Sequence, residues 1–282
     1  MSSLPTLNLL GGGRVAQTLA TLWHRQGHFA IQDVLTTSLA SAQSACTVIG
    51  SGQPTGSLQS MRPSDRWMLA VTDAQIAGCA QSLADRFAHE LQVTGTAPIV
   101  FHCSGAQSSA SLAPLAALGW RVASAHCILS FASVTAALQQ FHGTPCALEG
   151  DIAACDVLRV AFTAIGARCF EVPSADKLLY HAAAVFATNF LPVLQSTAED
   201  LWRSTGMPAE LIPHLRASLL RNAVAIITSL GPQAALTGPA ARGDTAAIAR
   251  QGAAVTAWDA PTGAAYTALS ELALRLAQKK QD

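Results

Sequence analysis

Three side chains within residues 177–189 are candidates for binding a substrate or donating a proton to it: Lys177, His181 and Asn189. Lys177 and His181 lie four residues apart and so share one face of a helix. Asn189, eight residues beyond His181, lies about 80° further around a regular helix. An imidazole titrates near neutral pH, whereas a lysine does so only when strongly desolvated. His181 is therefore the preferred proton donor, Lys177 the second, and Asn189 a holder of a substrate's polar group; a solvated Lys177 and a packed His181 are the alternative interpretation.

Further polar side chains follow three short apolar runs that are typical of buried strands. An open α/β sheet binds its ligands at the carboxyl ends of its strands. These side chains are therefore candidates for binding a cofactor or a substrate and for a third proton donor. They are Thr72, Asp73 and Ser104 for the cofactor, His102 and Ser130 for the substrate, and His126 for the proton.

Two His-Cys pairs, His102–Cys103 and His126–Cys127, raise the question of a zinc site. Adjacent residues of a strand point to opposite faces, so each pair offers one inward ligand, fewer than a structural zinc site needs. We expect no metal. A cysteine nucleophile is a further alternative, but nothing in the sequence indicates a depressed thiol pKa.

The stretch TLNLLGGGRVAQTLATLW carries three glycines between an apolar run and a helical repeat. Gly11, Gly13 and Ala16 match the G-x-G-x-x-G/A pattern in the strand–helix context that a dinucleotide requires. The first glycine permits the tight turn, the second lets the backbone approach a pyrophosphate, and the small third residue lets the helix pack closely. The free N–H groups of the helix start attract the anion. We assign Gly11, Gly13, Arg14 and Val15 to the cofactor, with an ordinary glycine turn as the alternative.

The choice between NAD and NADP depends on the tip of the second strand. An acidic residue about 20 residues past the glycines usually binds the ribose there. Asp33 lies at that distance from Gly13, but strand-like residues continue past it and place it before the tip. The predicted tip is Thr36, Thr37 and Ser38, whose hydroxyls can bind a 2′-phosphate without repelling it. This favours NADP and leaves NAD open.

Strand-like runs alternate with helical stretches as far as residue 172, which predicts a doubly wound, mostly parallel α/β sheet of the Rossmann type. Residues 1–172 are the predicted dinucleotide-binding domain. Residues 73–91 and 153–165 carry the helical period, and residues 50–56 are interpreted as a loop. The predicted strands cover residues 7–10, 28–35, 66–72, 97–105, 120–128, 144–150 and 167–173.

Residues 173–282 are predicted to form an all-helical domain for substrate binding and dimerisation, because strand signals stop after Pro173. Prolines, glycines and capping residues mark the helix ends. The helices are predicted to run from Ser174 to about residue 204 with a bend at Pro192 and a stop at Gly206, from Pro208 to about Gly231, and onward from Asp244 and Pro261.

The composition narrows the class of protein. Half of the 282 residues are hydrophobic, 12% are charged and the formal net charge is zero. No apolar run reaches the ~18 residues of a membrane span, so the surplus apolar surface predicts a homodimer. With no basic cluster beyond Lys279–Lys280, nucleic acid is not an expected partner. Seven scattered cysteines indicate a reducing cytoplasm, where most of them are small buried hydrophobes.

The stretch LTGPAARGD is predicted to be a turn that feeds a helix. Gly238 and Pro239 break the chain, and Asp244 can cap the next helix. Arg242 beside that helix start can clamp a substrate carboxylate or phosphate through two parallel hydrogen bonds.

Six stretches in this order resemble predicted oxidoreductases that join an N-terminal Rossmann domain to a C-terminal helical domain of unknown function. The resemblance spans nearly the whole chain. More distantly, the layout is similar to pyrroline-carboxylate reductases and to the 6-phosphogluconate dehydrogenase-like superfamily, whose helical domain dimerises and closes over the nicotinamide. The stretches are GGGRVA, AVTDAQI, FHCSGAQ, SAHCILSF, KLLYHAAAVFATNF and ALTGPAARGD.

The resemblance implies an NAD(P)-dependent oxidoreductase of a small, anionic carbonyl, imine, alcohol or amine substrate, with its site between the two domains. The lysine and asparagine on the corresponding helix of hydroxyacid dehydrogenases are similar to Lys177 and Asn189, at a different spacing. Cys103 and Cys127 stand where threonine and proline are typical of the family, and Thr37 where an arginine is frequent. A non-catalytic NAD(P)-binding sensor or scaffold is the alternative function.

Overall fold

The computed structural model describes residues 4–88 and 97–279. The chain divides into two compact units, Met1–Phe186 and Ala187–Asp282. This division falls later than the boundary predicted at residue 172. The first helix after the sheet belongs to the first unit, because its Lys177 is buried among the strands with 1% of its surface exposed.

The first unit is built on one eight-stranded sheet, which confirms the predicted class. Its strands are β1 (Thr6–Leu10), β2 (Ala30–Leu35), β3 (Gln53–Thr55), β4 (Arg66–Leu69), β5 (Ile99–His102), β6 (Arg121–Cys127), β7 (Pro145–Gly150) and β8 (Arg168–Glu171). Their order across the sheet is β3-β2-β1-β4-β5-β6-β7-β8. Neighbouring strands are parallel except β6 and β7, which are antiparallel.

The loop predicted over residues 50–56 is wrong in part, because β3 lies within it. This strand pairs with β2 in parallel and forms the edge of the sheet. Its central residue, Pro54, has no N–H to donate and is therefore tolerated only on an edge strand. Three residues with a central proline show no alternation of polar and apolar side chains, so sequence patterning did not find this strand.

Seven helices accompany the described part of this sheet. Those predicted over residues 73–91 and 153–165 are confirmed, although the first ends at Phe87 and residues 89–91 lie outside the described residues. The helices are α1 (Arg14–Arg25), α2 (Leu39–Ile49), α3 (Asp73–Phe87), α4 (Ala113–Ala116), α5 (Val134–Gln140), α6 (Ile152–Ala164) and α7 (Lys177–Ala184).

Apolar side chains fill both faces of the sheet, since successive strand residues point to opposite sides. On β5, Phe101 joins the cluster that contains Trp23 of α1 and Phe162 of α6. Its neighbour Val100 joins the opposite cluster, which contains Trp67 and the α3 side chains. Burial on both faces holds the strand ends, and the polar residues that follow them, in fixed positions.

The second unit is helical, as predicted. Asp244 accepts a hydrogen bond from the Ala247 N–H and so caps a helix at the expected place. The helix expected from Pro208 begins at Ile212 and is broken at Gly231, whose φ is +77°. The helices are α8 (Phe190–Ser204), α9 (Ile212–Ala235), α10 (Gly238–Ala241), α11 (Thr245–Trp258) and α12 (Ala260–Gln278).

Between α7 and α8 the chain forms a π-helical turn, Val185–Asn189, in place of the bend predicted at Pro192. A proline has no N–H to donate, and its ring collides with the carbonyl four residues earlier in a regular helix. The wider turn lies directly upstream of Pro192 and accommodates that ring. The 80° estimate that related His181 to Asn189 assumed a regular helix, so it does not apply here.

One helical stretch, Ser174–Ser204, meets the length and hydropathy expected of a membrane span, with a mean hydropathy of 1.3 in its most apolar window. The sequence analysis expected no such segment, because interspersed polar residues interrupt every continuous apolar run. Length and composition alone are weak evidence for a span. The first turns of this stretch pack against the sheet, since Lys177 lies buried among its strands.

Candidate functional site

The glycine turn between β1 and α1 has the geometry of a phosphate cradle. Gly11 adopts φ +99°, and a Cβ there would overlap the carbonyl oxygen of Ala70. A Cβ on Gly12 would lie 2.6 Å from the Cγ2 of Thr36. Gly13 is different: its φ is −73°, and a Cβ there would meet nothing within 4 Å. The turn is tight at its first glycine and open at its third.

Gly13 is the N-cap of α1, where no side chain caps the helix and no acidic residue occupies the first turn. The N–H groups of that turn therefore have neither a capping oxygen nor a carboxylate beside them, which leaves the partial positive charge of the helix start available to an anion. A cavity of about 440 Å³ opens at this point. The residues present thus fit the pyrophosphate of a dinucleotide.

The residues predicted to bind the cofactor divide into two groups. Five of them line the 440 Å³ cavity together with the ends of β2 and β4, namely Gly11, Gly13, Thr36, Thr37 and Thr72. The other five lie elsewhere in the same unit. Arg14 donates to the carbonyl of Ala132 at 2.6 Å, Ser38 caps α2, and Val15 lines a small apolar cavity beneath α1. The Ser104 hydroxyl donates a hydrogen bond to the Asp73 carboxylate.

Asp33 lies before the tip of β2, as the sequence indicated. Its carboxylate is buried and pairs with the Arg62 guanidinium, and it also accepts the Arg62 N–H at 2.7 Å. The hydrogen bond that the Arg62 guanidinium donates to Asp33 raises the pKa of Arg62. The Asp33 carboxylate is therefore occupied by Arg62. The tip of the strand carries only threonine and serine side chains.

One face of α7 points into the sheet and the other does not. Lys177, Tyr180 and His181 stand at positions i, i+3 and i+4, and so line the same face. Leu178 and Leu179, on the opposite side, are about three-quarters exposed. Ser174, just before the helix, donates to the buried Glu149 carboxylate at 2.6 Å and helps to fix the helix start.

Lys177 is a buried tether. Its Nζ donates to the carbonyl oxygen of Ser104 at 3.0 Å and to the Ser124 hydroxyl at 2.7 Å. Burial lowers the pKa of Lys177, opposed by the nearby carboxylates of Glu149 and Asp73. The ammonium joins α7 to the turn after β5 and to the middle of β6, and this position inside the protein makes Lys177 a weaker candidate for contacting a substrate.

The turn after β5 is held by its own polar side chains. The Ser104 hydroxyl donates to Asp73 at 2.8 Å and accepts the N–H groups of Ala106 and Gln107. His102 is fully buried: its Nδ1 accepts the Ser104 N–H, and its Nε2 lies 3.1 Å from the Ser108 carbonyl. Both ring nitrogens of His102 therefore have partners within the turn, and neither is directed at a substrate.

His126 and His181 converge on Gly105. Their ring planes stand at 77° to each other, with the ring centroids 5.7 Å apart. A Cβ on Gly105 would overlap the Nδ1 of His181 and lie 2.9 Å from the Nε2 of His126. The Nδ1 of His181 is buried without a hydrogen-bond partner. Two imidazoles that the sequence places 55 residues apart thus meet at one backbone atom, where only glycine fits.

The environment of His126 keeps its imidazole neutral. Burial, with the positive charges of Lys177 and His181, lowers the pKa of His126 to about 4. Its Nδ1 lies 2.8 Å from the Tyr180 hydroxyl. Tyr180 was missed by the sequence analysis, although its spacing of three from Lys177 could have indicated it.

Four of the cysteines lie on or directly after neighbouring strands of the sheet. Burial raises the pKa of the Cys103 thiol to about 12. Cys127, Cys146 and Cys169 lie side by side on neighbouring strands, in register. Within residues 4–88 and 97–279, no group of three His, Cys, Asp or Glu side chains is placed to hold a metal ion.

Comparison with protein families covers most of the chain. A Rossmann-like domain model matches residues 5–126, and the model for a domain of unknown function, DUF2520, matches residues 144–273. This chain belongs to the proteins that join a Rossmann-like domain to a DUF2520 domain. No curated protein matches the sequence.

Several solved structures share this fold at low sequence identity. A protein from Thermotoga maritima is 22% identical, with a TM-score of 0.74 over 98% of this chain and 100% of that one. A pyrroline-5-carboxylate reductase from Coxiella burnetii is 16% identical, with a TM-score of 0.56 over 96% and 98% of the two chains. An imine reductase from Myxococcus stipitatus, in complex with NAD⁺, is 14% identical, with a TM-score of 0.60 over 98% and 94%. At these identities the likeness shows the fold.

The DUF2520 region carries four of the predicted site residues, and they fall into both units. Lys177 and His181 lie on α7 in the first unit. In the second unit, Asn189 ends the π-helical turn, where its Oδ1 accepts the Thr188 hydroxyl at 2.9 Å. Arg242 follows α10 and is exposed, next to the cap of α11. Ser130, outside this region, lies exposed in the loop after β6.

Proposed function

We propose that this protein is an NAD(P)-dependent oxidoreductase that transfers a hydride between the nicotinamide and a small, anionic substrate, a carbonyl or imine in one direction and an alcohol or amine in the other. The observation that carries the proposal is the placement of two functional groups on one edge of one sheet. The uncapped glycine turn follows β1, and the His126–His181 pair stands at the carboxyl ends of β5 and β6, which run parallel to β1. Ligands of open α/β sheets bind along that edge.

A bound dihydronicotinamide would supply the hydride, two electrons and one hydrogen, to the substrate carbon. The chain must then supply one proton to the substrate oxygen or nitrogen. His181 is the proposed donor. Its Nδ1 is buried without a hydrogen-bond partner, which leaves Nε2 as the ring nitrogen that can meet a substrate. An imidazolium there would give its Nε2 proton to the substrate and become a neutral imidazole.

Arg242 and Asn189 lie in the second unit, and their proposed roles rest on the chemistry of their side chains. Arg242 would clamp the negative charge of the substrate, since its guanidinium offers paired donors to a carboxylate or phosphate. Asn189 would bind a polar group of the substrate. The absence of a carboxylate at the tip residues Thr36, Thr37 and Ser38 supports NADP as the cofactor, and NAD is the alternative.

The proposal is tested by titrating the purified protein with NADPH and with NADH and following binding by nicotinamide fluorescence. We expect saturable binding with NADPH the tighter ligand. A panel of small keto acids and cyclic imines bearing a carboxylate is then screened for oxidation of the bound cofactor at 340 nm. Binding without any turnover would instead favour the alternative function, a nucleotide-binding sensor or scaffold.

We further propose a homodimer through the helical unit, in a cytoplasmic protein whose seven cysteines are all free. Side chains such as Val193, Val224, Ile227 and Leu230 on α8 and α9 are about half exposed or more. Obligate interfaces bury roughly 2,000 Å² or more and are apolar. We expect light scattering at micromolar concentration to give twice the mass of one chain.

The variant Ile227→Glu tests where that interface lies. A charge in the middle of an apolar interface would be desolvated without a partner, so we expect the dimer to dissociate. Leu39→Glu on α2 is the matched control, because Leu39 and Ile227 are equally exposed, at 47%. A monomeric wild-type protein, or dissociation by Leu39→Glu alone, would contradict the proposal.

A further inference from the structure

The hydroxyl of Tyr180 is the partner that the structure gives to one nitrogen of His126. The Tyr180 oxygen lies 2.8 Å from His126 Nδ1, and the two rings stand at 88° with centroids 5.6 Å apart. Phe170 of β8 also packs against the phenol ring, with the ring centroids 6.1 Å apart. Two aromatic contacts and the hydrogen bond thus hold the hydroxyl in position.

The direction of this hydrogen bond follows from the protonation states of the two groups. Burial raises the pKa of Tyr180, so the phenol keeps its proton. His126 is neutral, and a neutral imidazole has one N–H donor and one acceptor nitrogen. A phenol is a better donor than an imidazole N–H, and an imidazole nitrogen is a better acceptor than a phenol oxygen. The Tyr180 O–H thus donates to Nδ1, and the hydrogen of the imidazole is left on Nε2.

The other nitrogen of His126 faces the convergence point at Gly105. A Cβ on that glycine would lie 2.9 Å from His126 Nε2 and would overlap His181 Nδ1. The tautomer of His126 therefore decides whether this place receives an N–H donor or a bare acceptor. In a neutral histidine, the hydrogen bond made by one ring nitrogen sets which of the two nitrogens carries the hydrogen.

We propose that Tyr180 is the positioning residue of His126: its hydroxyl donates to Nδ1 and fixes the tautomer in which Nε2 carries the hydrogen and is directed at Gly105 and His181. As a consequence, the substrate group that meets His126 is a hydrogen-bond acceptor, a carbonyl oxygen, an imine nitrogen or a carboxylate. This consequence rests on the proposed function, whereas the tautomer itself does not.

The test is Tyr180→Phe, which keeps the ring and removes the hydroxyl. Tyr266→Phe is the matched control, since Tyr266 is the other tyrosine of the chain and its hydroxyl donates to Gln251 in the second unit. Long-range ¹H–¹⁵N spectra of histidine-labelled protein without substrate distinguish the two tautomers by the pyrrole-like or pyridine-like shift of each ring nitrogen. The His126 signals are assigned by their loss in His126→Gln.

We expect the Nε2–H form alone for His126 in the wild type and in Tyr266→Phe, and a mixture of both tautomers in Tyr180→Phe. Finding the Nδ1–H form in the wild type would overturn the proposal even if the variant failed to fold, as would an unchanged His126 pattern in a folded Tyr180→Phe. Failure of the proposed function would show separately, as no oxidation of NADPH or NADH by a protein whose His126 tautomer still responds to Tyr180.

Discussion

The Gly13→Val variant is expected to fold normally and to lose its affinity for NADPH and NADH by at least ~100-fold, which corresponds to about 3 kcal/mol. The space for the new side chain is present, because a Cβ on Gly13 meets nothing within 4 Å and its φ of −73° is open to any residue. That same space is where the proposed pyrophosphate approaches the uncapped helix start. Fluorescence titration measures the affinity, and thermal unfolding measures the fold.

The neighbouring Gly11→Ala variant provides the contrast. Gly11 holds φ +99° and presses against the Ala70 carbonyl, so a side chain is both strained and sterically excluded. We expect its Tm to fall by on the order of 5 °C or more, as a loss of 2 kcal/mol or so does in a protein of this size. Unchanged affinity in a stably folded Gly13→Val protein would show that the turn is only structural.

The sheet could be predicted from the sequence because its signals are local. Seven of the eight strands were predicted as short apolar runs between helical stretches, and their alternation predicts a mostly parallel sheet. The strand that was missed, β3, is three residues long with a central proline. It forms a strand because it pairs with β2, which lies elsewhere in the sequence, and no local pattern of polar and apolar residues indicates such a pairing.

The site was only partly predictable, because its geometry depends on contacts between distant segments. Spacing placed Lys177 and His181 on one helix face, but could not tell that the ammonium of Lys177 is buried between Ser104 and Ser124. The importance of Gly105 depends on two rings that approach it from β6 and α7. The helix register indicates Tyr180 only once Lys177 is known to face the sheet.

Burial separates the polar residues of this edge into two kinds. The polar atoms of Lys177, Ser104, His102 and Glu149 form hydrogen bonds with other side chains or with the backbone, and so hold the segments around the turn after β5 in place. His181 differs from them, since its Nδ1 is buried and unpartnered. Buried polar atoms are usually satisfied, so an exception at the ligand-binding edge of a sheet points to function, and it makes His181 the residue to test first.

Replacement of His181 by alanine is expected to reduce kcat at least ~100-fold, the lower range for removal of a general acid, once a substrate has been found. Stability should change little, because the lost packing is offset by removal of an unsatisfied buried nitrogen, whose burial costs about 1–3 kcal/mol. The affinity for NADPH should remain, since the 440 Å³ cavity at the glycine turn does not include His181.

Two further variants make the result specific to proton transfer. His214→Ala, at an exposed histidine on α9, should leave kcat and KM unchanged. Arg242→Ala should raise KM with little change in kcat, because a clamp that holds the substrate and the transition state equally contributes only to binding. A His181→Ala enzyme with normal kcat would mean that His181 serves packing only.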